Sequence, residues 1–201
     1  MLEPVIRRIV TRQGPQGRSV VIDDGAAPAV EWPGWPGRGV TFVWSEKQVP
    51  VTNADLTLPE QRGELNVIPT GSGVSFIIMH IPPKAETESM TNEERQSATV
   101  PVARTFPGAL ELDTDKGYFM HGTNTMDWLI LLSGELTLVL DEEERTLKPF
   151  DTVVQAGCNH GWVNRGTVPA VIASAVIAAE PLDRDAYKAD PRPTLPATTT
   201  G

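Results

Sequence analysis

Cysteine and histidine are scarce in this chain. Its 201 residues hold one cysteine, Cys158, and three histidines, His80, His121 and His160. A single thiol makes no internal disulfide, which excludes a disulfide scaffold and fits a reducing compartment. Basic charge is also in the minority. Lys and Arg number 17 against 26 Asp and Glu, for a formal net charge of −9. No Lys/Arg-rich stretch offsets that balance, so nucleic acid is not an expected partner, because phosphate contacts need a basic face. Long apolar runs are missing too. The longest run of small apolar residues, Val168–Ala179, is interrupted by Pro169 near its start and is too short to span a bilayer. The opening MLEPVIRRIV lacks the apolar core of a signal peptide. The expectation is a cytoplasmic protein with no membrane partner. There is no Gly-x-Ser-x-Gly elbow, P-loop, dinucleotide fingerprint or Cys-x-x-Cys pair, which removes the common routes to hydrolase, nucleotide and thiol chemistry.

Turn formers, by contrast, are plentiful: 17 glycines and 18 prolines fall between short apolar runs, the punctuation of an all-β protein. The length suits one domain with extensions, and such a domain buries enough surface to fold without disulfides or metal. Residues 1–66 read as a strand-and-loop extension packing on the main body, with strands at Val5–Val10, Ser19–Ile22 and Val40–Trp44. Between them, EWPGWPGRG (Glu31–Gly39) has too much Pro and Gly for a helix or central strand. Its Trp32 and Trp35 could pack over a barrel end or a partner. Residues 67–182 read as the main domain, opening with the apolar strand Val74–Ile81. A polar insertion over residues 84–116, with one short helix near Glu93–Ala98, is long for a connection in a compact domain and suits a lid or an interface.

From Tyr118 onward strands come densely: Met126–Leu132, Glu135–Leu140, Arg145–Lys148, Thr152–Gln155, His160–Asn164 and Ala170–Ala178. Short strands at this spacing indicate a sandwich or barrel. The acidic run Asp141–Glu144 reads as a solvated hairpin turn. Residues 183–201, rich in Pro and Thr, read as a flexible tail.

Two of the histidines stand at strand starts in this dense region. In HGTNTMDWLILLSGE, alternation puts His121, Thr123, Thr125 and Asp127 on one face, followed by Leu129 and Leu131. A polar patch running into an apolar stripe on one face suggests a pocket at one end of a barrel. In QAGCNHGWVN, His160, Trp162 and Asn164 share a face. If His160 opposes His121 and Asp127, two imidazoles and one carboxylate meet. That set with open positions is the facial triad of non-haem Fe(II) sites, and it would also hold Mn, Ni, Co or Zn.

These segments resemble the cupin superfamily. Its first motif runs Gly, five residues, His-x-His, three or four residues, Glu, six residues, Gly. Its second runs Gly, five residues, Pro-x-Gly, two residues, His, three residues, Asn. This chain has His121-Gly-Thr123, three residues, Asp127, six residues, Gly134, and then Gln155-Ala-Gly157, two residues, His160, three residues, Asn164. The resemblance spans about residues 74–180 and is nearest to small single-domain bacterial and fungal cupins with a His-x-Thr-x-Thr-x-Asp first motif. It implies a double-stranded β-helix (jelly-roll barrel), one divalent metal held by His121, Asp127 and His160 with Fe(II) favoured, and a homodimer. Four departures stand out: Thr123 replaces the second His, Asp127 the Glu, Gln155 the Pro, and Phe150 the Gly before Asp151, so that the last turn is not the standard glycine turn.

The resemblance implies an enzyme acting on a small aromatic or polyketide-like substrate, as an oxidoreductase of dioxygenase type. An alternative uses the metal as a Lewis acid for isomerase, dehydratase, decarboxylase or other lyase chemistry, with His80 as the catalytic base. A second alternative is a non-catalytic small-molecule-binding cupin. Substrate-binding roles fall to Thr123, Thr125 and Trp162. Cys158 reads as a small turn residue, and its reading as an oxidisable thiol is the lesser one.

Overall fold

The computed structural model describes residues 2–32, 35–52, 56–69, 71–87, 110–113 and 120–181, with 86–87 and 110–113 described by their backbone alone. The expected helix near Glu93–Ala98, most of the insertion and the tail lie outside them. Strands dominate. They are β1 (Arg7–Gln13), β2 (Ser19–Ala26), β3 (Ala29–Glu31), β4 (Gly39–Glu46), β5 (Val74–Ile81), β6 (Leu110–Asp113), β7 (Met120–Gly122), β8 (Thr125–Ser133), β9 (Leu136–Leu140), β10 (Glu144–Leu147), β11 (Thr152–Ala156), β12 (His160–Val163) and β13 (Ala170–Ala178), with one short helix, α1 (Lys84–Thr87).

Two antiparallel sheets carry the body. The smaller runs β10-β9-β12-β7-β6 and the larger β11-β8-β13-β5-β4-β3. Together they form the jelly-roll of a double-stranded β-helix. Alternation decides which side chains enter. Along β8, Thr125, Leu129 and Leu131 are buried while Met126 and Trp128 between them are exposed, the period of two that a half-buried strand requires. Leu129, Leu131, Leu136, Leu138, Trp162 and Ile172, from β8, β9, β12 and β13, then fill one cluster between the sheets. Trp32, Val40, Phe42, Val67, Ile77 and Val176 fill another, nearer the strands of the first half.

Three expectations need correction. The boundary at residue 66 cuts through the larger sheet, because β4 pairs with β5 from Gly39↔His80 to Glu46↔Val74 and β3 extends that pairing as the edge strand. Only β1 and β2 form a separate ribbon. The N-terminal segment does pack on the body: Leu2 is buried, and Ile6 covers Ile78, Val171 and Ala173 on the outer face of the larger sheet. Arg8 anchors the ribbon, its guanidinium donating to Glu60 at 2.6 Å and 3.1 Å and to Asp23 at 3.0 Å. The second correction concerns the insertion. Its residues 110–113 pair with β7 and complete the smaller sheet. Third, the strand expected to run through His121 to Asp127 is broken. β7 ends at Gly122 in the smaller sheet, the chain turns at Thr123 and Asn124, and β8 starts at Thr125 in the larger one.

That break is forced by local packing. Gly157, at φ 61°, lies so close that a Cβ there would stand 2.9 Å from the Thr123 carbonyl oxygen. The turn before β12 therefore fits against the β7–β8 corner only with glycine, which alone adopts such a φ without strain. Phe150 departs from the family pattern in identity but not in backbone. Its φ of 76° is the left-handed conformation a glycine would take, so the turn keeps the glycine geometry that the substitution seemed to exclude.

Candidate functional site

His121 on β7 and His160 on β12 are register partners across the smaller sheet. Directly opposed residues of an antiparallel pair have their Cβ atoms within about 5.5 Å, and here the ring centroids are 4.3 Å apart, tilted by 50°. His160 is buried. Its Nδ1 lies 3.0 Å from the Cys158 carbonyl, a group that only accepts, so the ring proton sits on Nδ1 and Nε2 carries the lone pair. Gln155 Nε2 stands 2.9 Å from Nδ1 and 3.0 Å from Nε2, and with Nδ1 protonated its N–H donates to Nε2, a bond that a cation on Nε2 would displace. Loss of water around the ring, with the nearby His121 imidazole adding to it, pushes the His160 pKa down to about 3 against the opposing pull of the Cys158 carbonyl. The neutral imidazole is the form that binds metals.

Asp127 comes from the opposite sheet, paired with Gln155 on β11 and Val176 on β13. Burial raises its pKa to about 6, partly offset by a hydrogen bond with the Thr125 side chain. Its Oδ1 is buried without a hydrogen-bond partner. The Gln155 Oε1 is in the same condition. Buried acceptors left unsatisfied cost of order 1–3 kcal/mol each, and at a cavity wall they mark where a ligand or cation would be welcome.

All three expected ligands border one cavity, whose empty space is about 660 Å³ with the open mouth included. Among the described residues, however, no three His, Cys, Asp or Glu side chains are gathered closely enough to hold a metal ion. The donor set suits a divalent cation in its chemistry, two imidazoles and an orphan carboxylate oxygen, while the side chains themselves are not drawn together around one point.

The other expected residues divide. Thr123 and Trp162 line the cavity. Trp162 is also a core residue, packed with Leu129 and Leu138, its ring 6.1 Å from that of His160. Thr125 does not line it. The break after β7 puts Thr125 behind the wall, where its hydroxyl shares a 2.6 Å hydrogen bond with that of Thr123. His80 lines the cavity too, fully buried, but both ring nitrogens are engaged. Nδ1 lies 3.2 Å from the Glu3 carbonyl, so it carries the proton, and Nε2 accepts from the Thr41 hydroxyl at 3.0 Å. Desolvation lowers its pKa, keeping it neutral. Its lone pair is committed to Thr41, which leaves it poorly placed to take a proton from a substrate.

Asn164, the last residue of the second motif, holds the fold together. Its Nδ2 donates to the carbonyls of Ile81 and Val168 at 2.9 and 2.8 Å, and its Oδ1 accepts from Gly166 N–H at 2.9 Å. Residues 111–176 match the Cupin domain family. That matched segment resembles a cupin domain. Over 68 residues it is 41% identical to the phomopsin biosynthesis cluster proteins C' and D of Diaporthe leptostromiformis, covering 33% of this chain and 36% of theirs. The chain thus spans about a third of the length of these curated relatives it matches. Among solved structures it is similar to a Cupin 2 conserved barrel domain protein from Salinispora arenicola (12% identity, TM-score 0.38, 79% of this chain and 90% of that one). It is also similar to a cupin-superfamily sugar phosphate isomerase from Silicibacter pomeroyi (14% identity, TM-score 0.39, 89% and 76%).

Sequence reasoning missed two residues on the cavity wall. Arg38 is there, beside Trp32, and so is Ser174, whose Oγ is buried and unpartnered. The signal for Arg38 was available in the spacing of Trp32, Trp35 and Arg38. Ser174 sits in the small-apolar run of β13, where nothing in the sequence separates it from core.

Proposed function

We propose that this cupin is a metal-dependent enzyme acting on a small organic molecule, with His121, His160 and Asp127 holding one divalent cation, Fe(II) favoured. One observation carries the reading: two register-paired imidazoles, that of His160 held neutral by burial, face the same cavity as a carboxylate with an unsatisfied buried oxygen. A cation bound there would polarise a substrate oxygen and, as Fe(II), would bring oxygen chemistry of the oxidoreductase kind. The chain's own contributions are definite. The Cys158 carbonyl holds the His160 tautomer that presents Nε2. The apolar walls from Leu129, Ile77 and Trp162 exclude water and shape a site for an apolar or aromatic body. Thr123 offers a hydroxyl at the wall, with Thr125 orienting it from behind. The likeness to proteins named for a biosynthesis cluster supports a small organic substrate. Lewis-acid chemistry with His80 as base is the weaker alternative, because the His80 lone pair is taken by Thr41.

Metal analysis and calorimetric metal titration of the purified protein test this. About one divalent ion per chain is expected, with loss of binding in His160→Ala and Asp127→Ala. Undiminished metal content in both variants would end the assignment. Turnover under strict exclusion of oxygen would remove the oxidative reading and leave the Lewis-acid one.

The expected homodimer belongs to the same proposal. Across the outer face of the larger sheet, Val154, Trp128, Ala175, Phe76 and Trp44 are successive register partners. Val154 and Trp128 are 71% and 55% exposed. This apolar ladder on an otherwise acidic protein is the face that a second copy would cover.

A further inference from the structure

The loop between β3 and β4 puts a cation at the cavity that no acid neutralises. Arg38 lies on the wall, its guanidinium carbon 5.2 Å from the Trp32 ring centroid and 5.1 Å from that of Trp35. Two indoles hold the guanidinium by cation–π contact, and neither takes its N–H donors in a hydrogen bond. Among the described residues the guanidinium makes no hydrogen bond or ion pair; its contacts are the two rings, and its backbone alone bonds to Trp32 and Trp35. Glu31, the acid of the same loop, accepts from Gly37 N–H at 2.7 Å. Desolvation with no compensating acid lowers the Arg38 pKa to about 10, which leaves it charged at neutral pH. A desolvated cation without a counter-ion is costly. Arg38 is half-buried; the more deeply buried Arg8 has two carboxylates on it.

We propose that Arg38 is a substrate-recognition residue and that the cavity takes a small carboxylate with an apolar or aromatic body, the carboxylate pairing with the Arg38 fork. The walls match the rest of such a molecule. Val67, Ile68, Ile77 and Trp162 are apolar, so a bare inorganic anion would leave them unfilled. The unpartnered Ser174 hydroxyl on the same wall supplies one further polar contact. A planar guanidinium and a carboxylate match as two parallel N–H···O bonds, a geometry that Lys does not reproduce. The inference rests on the proposed reading of this cavity as the substrate site. It does not depend on which metal, if any, the histidines bind.

Benzoate, benzamide and inorganic phosphate are the probes, titrated into metal-stripped full-length protein with tryptophan fluorescence and calorimetry as readouts. Benzoate is expected to bind. Benzamide, its neutral analogue of the same shape, should bind about 10- to 100-fold more weakly, as should benzoate to Arg38→Gln, the size of effect that charged hydrogen bonds carry. Arg38→Lys, which keeps the charge and loses the fork, should fall between. Equal binding of benzoate and benzamide to the wild type overturns the proposal without recourse to any variant, and so does full benzoate affinity in Arg38→Gln. Phosphate binding as tightly as benzoate overturns the assigned substrate class. Failure here is separable from failure of the metal reading, because Arg38→Gln should retain the wild-type metal content and thermal melting confirms that it folds.

Discussion

At the scale of single residues, the second motif holds one site residue and one structural residue side by side. His160 presents a neutral imidazole to the cavity, whereas Asn164, four residues on, spends its whole amide on the main chain. Replacing it leaves the Ile81 carbonyl and Gly166 N–H without partners, one of them at the buried end of β5. Asn164→Ala is therefore expected to destabilise the protein by about 2–3 kcal/mol, measured by urea denaturation, while metal content in the surviving folded protein stays unchanged. Both residues were visible in the sequence through their spacing. Their different roles were not, because spacing places a side chain on a face and says nothing of which atoms it meets there. The same limit applies to His80. Alternation places it on the face it shares with Phe76 and Ile78, and only the contacts with Thr41 and Glu3 reveal that both nitrogens are taken.

Individual elements show where local chemistry is imposed by tertiary demand. The turn between β10 and β11 holds Phe150 at φ 76° with its side chain 77% exposed. The backbone is tied on both sides, Phe150 N–H to the Leu131 carbonyl at 2.7 Å and Asp151 N–H to that of Lys148 at 3.0 Å. A left-handed backbone costs a residue with a Cβ about 1–2 kcal/mol, and glycine's greater unfolded freedom returns part of that. Phe150→Gly should thus stabilise the fold by about 0.5–1 kcal/mol, read as a raised thermal midpoint. The ribbon of β1 and β2 makes a pH-dependent prediction. Hydrogen bonds from Arg8, more than the bare charge attraction, hold the Glu60 pKa below its ordinary 4.5. A carboxyl made more acidic by folding stabilises the fold above its unfolded pKa, and that contribution fades as pH falls through the lower folded value. Glu60→Gln should cost about 1–3 kcal/mol at pH 7, and the gap from wild type should narrow below pH 4.5. Parallel denaturation series at pH 7 and pH 3 check the sign.

For the whole molecule, the open question is what covers the outer face of the larger sheet. One end is closed by Ile6; the other exposes the Val154–Trp128–Phe76 ladder. If a second copy sits there, light scattering on the wild type gives twice the chain mass, and Trp128→Glu, pointing away from the core, gives a folded monomer. A monomeric wild type ends the homodimer proposal. The net charge of −9 makes two copies repel, so a dimer formed through so apolar a face should tighten as salt screens that repulsion. Among the described residues no helix is long and apolar enough to cross a membrane.

What the sequence determined by itself was the strand content from β7 onward, the inward parity of β8 and β12, and the candidacy of His121, Asp127 and His160, because period-two alternation and motif spacing are local properties of the chain. Tertiary structure decided the rest. It broke the expected strand at Thr123, took Thr125 out of the cavity, drew β3 and β4 into the larger sheet, and brought Arg38 from the first half of the chain to the wall of the cavity that His121 also borders. Those outcomes depend on which surfaces meet once two sheets close over a common interior, and no run of neighbouring residues contains that information.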